Sequence, residues 1–234
     1  MLNPSLLTDA NACRWNKAKP VRDFVSVAQR MVAKKARYQA VEKVTRVPWP
    51  VIAVIHEREC SQSWGGSLAQ GDPWNKVSVH VPAGRGPFGS WEEAAVDALV
   101  NCPPHAARWK DWSVAGALTL LEQYNGLGYA RRGVPSPYVW AGTNQYRAGK
   151  YVRDGVYDPV AVDRQLGCAG LLMAMMGLDP SITFPPSETA SVRPHSSADP
   201  PPISPQISIS NPAKGSIGAF FVALMKSIFG RRTT

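Results

Sequence analysis

The sequence has few cysteines, few charged residues and no long apolar run, and each shortage excludes a class of protein. Four cysteines in 234 residues cannot staple a chain of this length as a disulfide scaffold. No C-x-x-C pair occurs, and His56, His80 and His105 have no zinc-ligand spacing. A structural zinc site and a zinc-dependent amidase are therefore not expected. No stretch approaches the roughly 18 uncharged apolar residues of a spanning helix. The segment Met1–Asp9 has no basic region, no long apolar stretch and no small-residue cleavage site. No cleavable secretory signal is expected, and the chain reads as made in the cytoplasm. No internal repeat occurs. Hydrophobic residues reach 44% and charged residues only 18%, so a sizeable core can be buried and a wholly disordered chain is excluded. On a prior of roughly 100–200 residues per domain, this is one domain with extensions or two small domains.

The net charge of +9 is unevenly placed. Residues 1–50 carry +7, residues 51–179 carry −1 and residues 180–234 carry +3. A nucleic-acid binder concentrates its basic stripe on the folded module. Here the central region is nearly neutral, so no nucleic-acid partner is expected. Basic flanks suit attraction to a polyanion or membrane surface, and equally plain solubility.

Composition divides the chain. Residues 1–20 read as an N-terminal extension and residues 21–179 as the folded domain. Residues 180–214 read as a Pro/Ser-rich linker, because nine of the 21 prolines fall in Pro180–Pro212. That composition cannot bury a core and favours a disordered, polyproline-like spacer. In residues 215–234, Ile217, Phe220, Phe221, Leu224, Met225 and Ile228 share one helical face. Fifteen helical residues span about 22 Å, short of a hydrocarbon core of roughly 30 Å. With Lys226, Arg231 and Arg232 this predicts a cationic amphipathic tail helix suited to a membrane interface, or to docking on protein.

Within the domain, Phe24, Val27, Ala28, Met31, Val32, Tyr38 and Val41 predict one amphipathic helix of about 20 residues. Pro48-Trp49-Pro50 then punctuates the chain, and a second helix is expected from Pro50 to Ser61. Ile52, Ile55 and Glu59 share a face, so Glu59 is the polar end of an apolar stripe. Desolvation there would raise its pKa, as a glycosidase general acid requires. A helix-end carboxylate paired with a cation is the plainer alternative. Glu57 lies on another face and is expected in solvent. Val77, Val79 and Val81 alternate with Ser78 and His80 and predict a strand. Turn signals at Gly71-Asp72-Pro73 and Pro82–Pro87 make it part of a small hairpin. Asp72 then becomes a candidate second carboxylate, or an ordinary turn residue. Glu92 and Glu93 follow Ser90 at a helix start, where acids suit the dipole. Val160–Leu178 predicts a closing helix, with Cys168 buried in it. Cys13, Cys60 and Cys102 leave any pairing open.

Several blocks occur in one order: His56-Glu57-Arg58-Glu59-Cys60, Gly71-Asp72-Pro73, Val81-Pro82-Ala83-Gly84-Arg85 and Trp91-Glu92-Glu93-Ala94-Ala95-Val96-Asp97-Ala98-Leu99. Leu121–Tyr129, Ser136–Trp140 and Gly149–Gly155 follow. Over residues 35–178 this resembles a lysozyme-like, peptidoglycan-cleaving family of bacteria and phages. It is distantly similar to goose-type lysozymes and lytic transglycosylases.

The resemblance implies an α+β, mainly α, lysozyme-like domain with a small β-hairpin. It implies an endolysin-like muramidase that cuts the β-1,4 bond between N-acetylmuramic acid and N-acetylglucosamine. Glu59 takes the general-acid position, and the Tyr124-Asn125-Gly126 block the cleft lining. Cys60 stands where the family has serine, so a hydroxyl that helps position substrate or the glutamate is replaced by a weaker hydrogen-bond partner. Tyr138, Trp140, Tyr146 and Tyr151 join Tyr124 and Asn125 as candidate sugar-binding residues, since sugar faces pack on aromatic rings. Core packing is the alternative use for part of that set. No metal and no organic cofactor are expected. The expected partners are glycan strands of the cell wall and, through residues 215–234, a membrane surface. Lytic transglycosylation is the alternative reaction. A non-catalytic, glycan-binding or membrane-active protein is the alternative class.

Overall fold

The computed structural model describes residues 4–186. The expected linker beyond residue 186 and the tail helix at 215–234 lie outside the described residues. Within them the helices are α1 (Pro4–Lys17), α2 (Val25–Val32), α3 (Lys35–Thr45), α4 (Trp49–Cys60), α5 (Trp91–Asn101), α6 (Val114–Tyr124), α7 (Gly128–Arg131), α8 (Pro137–Trp140) and α9 (Cys168–Leu178). A 3₁₀ turn lies at Ala106–Arg108. The strands β1 (Lys150–Arg153) and β2 (Val156–Asp158) form one antiparallel pair with Tyr151 opposite Tyr157. The domain is thus α+β and mainly helical. None of the described helices is long and apolar enough to cross a membrane.

Helix α4 is the axis of the core. Ten of its twelve residues are buried, and from Trp49 to Ile55 it is apolar all round, as a central helix must be. Pro50 lies in its first turn, where a missing N–H costs nothing. Ser61 and Gln62 both adopt positive φ and stop it. Helix α9 packs on α2, α4 and α8, α3 packs on α4 and α5, and α6 packs on α1 and α8. The N-terminal extension is part of this arrangement. Leu7 and Asn11 of α1 are buried on α6, and Asn11 Nδ2 donates to Thr119 Oγ1 at 3.2 Å.

Three elements differ from the sequence reading. The single helix expected over residues 24–41 breaks at Ala33–Lys34 into α2 and α3. Its two halves serve different partners, α9 for the first and α4 with α5 for the second, so one straight rod cannot bury both faces. The strand expected at Val77–Val81 does not form. Val77, Val79 and Val81 face solvent, with Val79 78% exposed, and the Val79 and His80 amides donate to Asp72 Oδ2 instead of a strand. The hairpin lies 70 residues later, where Asp154-Gly155 supplies the turn with Gly155 at φ +67°. The closing helix begins at Cys168, not Val160. Asp158 Oδ1 accepts the Val160 and Ala161 amides, and the Asp163 amide donates to Tyr146 Oη. These bonds keep residues 160–167 out of the helix. Packing also continues past Asp179: Ile182 is buried and Phe184 rests on the core.

Candidate active site

The last turn of α4 sends five consecutive side chains to five different neighbours. His56 is fully buried among Tyr38, Trp64 and Trp91. Its Nε2 contacts the Ser63 carbonyl at 2.9 Å and its Nδ1 the Tyr38 hydroxyl at 3.0 Å. Burial pushes its pKa down to about 4, with Arg37 adding to the shift and the Ser63 bond opposing it. His56 is therefore a neutral brace at neutral pH, donating to Ser63 and accepting from Tyr38. Glu57 differs from the expectation of a solvated group. It is buried, because Gln62 turns back and donates to its Oε2 at 2.8 Å. Burial raises its pKa, and Gln62, Arg30 and Arg58 only partly offset this.

Arg58 is enclosed and ion-paired to Asp163 at 3.1 Å, with a second bond to the Leu166 carbonyl. Its guanidinium lies 4.7 Å from the centre of the Tyr138 ring. Lys150 of β1 shares Asp163 at 3.1 Å. Burial alone would raise the Asp163 pKa, but Arg58 and Lys150 outweigh it and hold the carboxyl below its ordinary range.

Glu59 is 5% exposed. The Tyr138 hydroxyl donates to its Oε1 at 3.2 Å. Tyr124 lies within electrostatic reach of the same carboxyl, and its hydroxyl donates to the Leu68 carbonyl at 3.1 Å. Burial, then the charge of Glu59, pushes both phenol pKa values well above 10, so both remain donors. Cys60 Sγ donates to the Ser67 carbonyl at 3.1 Å. A Cβ on Gly66 would sit 2.9 Å from that sulfur, so a glycine is needed for the loop to lie against the end of α4. Loop 66–68 thus closes over α4 between Cys60 and Tyr124. Asn125 Nδ2 reaches Ser136 Oγ at 3.4 Å, tying the end of α6 to the start of α8, the helix that carries Tyr138. Tyr124 and Asn125 keep part of their surface exposed.

The remaining candidates lie apart. Both carboxylate oxygens of Asp72 are engaged: Oδ2 by the Val79 and His80 amides at 2.9 Å, Oδ1 by His80 Nδ1 at 2.6 Å. Burial would raise its pKa, but these bonds prevail and lower it. Trp140 is fully buried, with Nε1 on the Glu122 side. Tyr146 is buried, donating to the Gly149 carbonyl at 3.2 Å and accepting from the Asp163 amide at 3.0 Å. Tyr151 stands on β1 in a ring cluster with Tyr129 and Tyr157. The structure therefore brings Glu59, Tyr124 and Tyr138 together, with Asn125 at the margin. It gives Trp140 and Tyr146 packing work and Asp72 a loop-organising one.

Arg58 and Asp163 were not among the sequence candidates. Arg58 sits one turn after Ile55 on a buried helix, which signals a need for a counterion. Nothing in the sequence points to Asp163, 105 residues away. Among the described residues no group of three or more His, Cys, Asp or Glu could hold a metal ion, and none of the four cysteines is in a disulfide. Compared with protein families, curated proteins and solved structures, the chain matches none.

Proposed function

We propose that the protein is a peptidoglycan glycosidase that cuts the β-1,4 bond between N-acetylmuramic acid and N-acetylglucosamine, with Glu59 as general acid. The observation that carries this reading is the setting of Glu59. It is a carboxyl at the end of a buried helix, enclosed, and oriented by a phenol that stays protonated. A carboxyl held this way can pass its proton to a glycosidic oxygen in a fixed direction. Tyr124 and Asn125 offer a ring and an amide to the sugar. The order of the sequence blocks supplies the substrate class. The cationic segment 215–234 is proposed to bring the enzyme to a membrane surface beside the wall.

One observation favours a second route from the same residue. Asp72 spends both oxygens on its own loop, so it is poorly placed to activate water. In lytic transglycosylation no second carboxylate is needed. The muramoyl 6-hydroxyl attacks its own anomeric carbon, and Glu59 acts first as acid and then as base. Product masses from purified peptidoglycan decide between the routes. Hydrolysis leaves reducing muramic ends, and transglycosylation leaves anhydro ends lighter by one water. Absence of either product, on acetylated and deacetylated walls alike, overturns the proposal.

A further inference from the structure

Outside the Glu59 group, the hairpin and α7 build a second constellation that the cleavage step does not use. Tyr129, Tyr151 and Tyr157 pack edge to face, with ring centres 5.1 to 6.3 Å apart. Two glycines make room for them. A Cβ on Gly128 would meet the Tyr151 ring at 3.1 Å. At Gly149, which has φ +102°, any Cβ would collide with the Tyr157 hydroxyl. Arg132 lies over this cluster. Its guanidinium is 4.4 Å from the centre of the Tyr157 ring, and its Nε donates to the Tyr151 hydroxyl at 3.0 Å. Stacking and that single bond fix the plane of the guanidinium while its two terminal nitrogens have no partner among the described residues.

A planar guanidinium with a fixed plane and two free nitrogens is the geometry that grips a carboxylate through two parallel bonds. The surrounding charge agrees. Arg131 and Arg153 are also exposed, and the acids nearby are spent or few. Asp163 is buried under Arg58 and Lys150, Asp158 binds the Val160 and Ala161 amides, and Asp154 at the hairpin turn is the exposed one. Tyr151 and Tyr157 keep partial exposure, so a ring face lies beside the cation. Aromatic faces take sugars, and the guanidinium takes an acid.

We infer that Arg132, with Tyr151 and Tyr157, forms a binding site for a saccharide that carries a carboxylate. Resting on the proposed function, the acid is the lactyl group of muramic acid or the peptide attached to it. The site continues the Tyr124–Asn125 segment, because only Gly126 and Leu127 separate it from α7. Its place on the hairpin also links it to Arg58 through Lys150 and Asp163.

The test measures binding to the full chain carrying Glu59→Gln, so that sugar is not consumed, with Arg132 intact or changed to Gln or Lys. Four probes are compared. They are the muramic disaccharide with a free lactyl acid, the same with that acid capped as an amide, the disaccharide bearing its peptide, and neutral chitobiose. Arg132 is exposed, so its substitution leaves folding intact, which thermal unfolding checks. The expected result is an affinity about ten-fold lower in Arg132→Gln for at least one acid-bearing probe. Capped and neutral sugars are unaffected, and Arg132→Lys recovers part of the loss. Which acid responds identifies the source. Equal loss for all four probes, no loss for any, or no binding of any probe overturns the inference. Carboxylate preference without wall cleavage by the Glu59 protein would sink the Glu59 reading alone. Cleavage without that preference would sink this inference alone.

Discussion

Arg58 and Glu59 are adjacent in sequence, yet they meet through a third residue. The Tyr138 ring lies under the Arg58 guanidinium while its hydroxyl bonds Glu59. Tyr138→Phe keeps the ring and removes the donor. Its cleavage rate is expected to fall about ten-fold, while its unfolding free energy changes by only about 1 kcal/mol, the worth of one hydrogen bond. Asp163→Asn acts on stability. It leaves the buried Arg58 charge without its carboxylate, a change that costs about 3–5 kcal/mol for a buried pair broken on one side. Urea unfolding measures it, and a loss under 1 kcal/mol would show that the pair is not buried in solution. Glu59 was legible in the sequence because it ends an apolar stripe. Its bond to Tyr138 was not, because 79 residues separate the two and no local pattern encodes that meeting. Asp72 was legible only as a residue of the right type. Its engagement by His80 and two amides depends on a loop whose valines alternate like a strand but find no partner edge.

At the scale of elements, the α1–α6 seam holds the least satisfied part of the core. Glu122 of α6 is 2% exposed. Its Oε1, Asn11 Oδ1 and Trp140 Nε1 have no well-aligned hydrogen bond among the described residues. Burial pushes the Glu122 pKa from 4.5 up to about 7, and Arg14 of α1 and the Trp140 indole oppose the shift only in part. In the unfolded chain the group titrates at its ordinary value, so between these two pH values the folded chain holds the extra proton. Stability from this group is therefore complete below about pH 4.5 and is lost as pH rises through 7. The loss is on the order of 3–4 kcal/mol at about 1.4 kcal/mol per pH unit. Glu122→Gln should flatten the pH dependence of the unfolding midpoint over that window and raise it above pH 7. An unchanged slope would contradict the assignment. Helix existence was readable from periodicity for α4 and α9, and for α5 from Ser90 and the two acids that follow it at its start. The α2–α3 break and the late start of α9 were not readable. The break lets α2 pack on α9 while α3 packs on α4 and α5, and the late start of α9 follows from bonds such as the Asp163 amide to Tyr146, which only the folded chain can make.

At the scale of the whole molecule, composition located the end of the domain only approximately. Proline density starts at Pro180, but Ile182 belongs to the core and Phe184 packs against it. Ile182→Ala should cost about 2–5 kcal/mol, the range for truncating a buried isoleucine. A loss near zero in a denaturant titration would return the boundary to Asp179. The N-terminal flank is likewise part of the body: a basic composition suggested an extension, yet Thr8 and Asn11 bond Thr119 of α6. The central claim, that this body positions Glu59 to cut glycan strands, is met most directly by one rate measurement. Release of reducing or anhydro muramic ends from purified sacculi is followed for the wild type, Glu59→Gln and Glu57→Gln, each confirmed folded by its unfolding midpoint. The expected result is cleavage by the wild type and by Glu57→Gln, with Glu59→Gln slower by about a hundred-fold or more, the contribution of a positioned acid. Equal rates for the wild type and Glu59→Gln, or no release by the wild type, would contradict it.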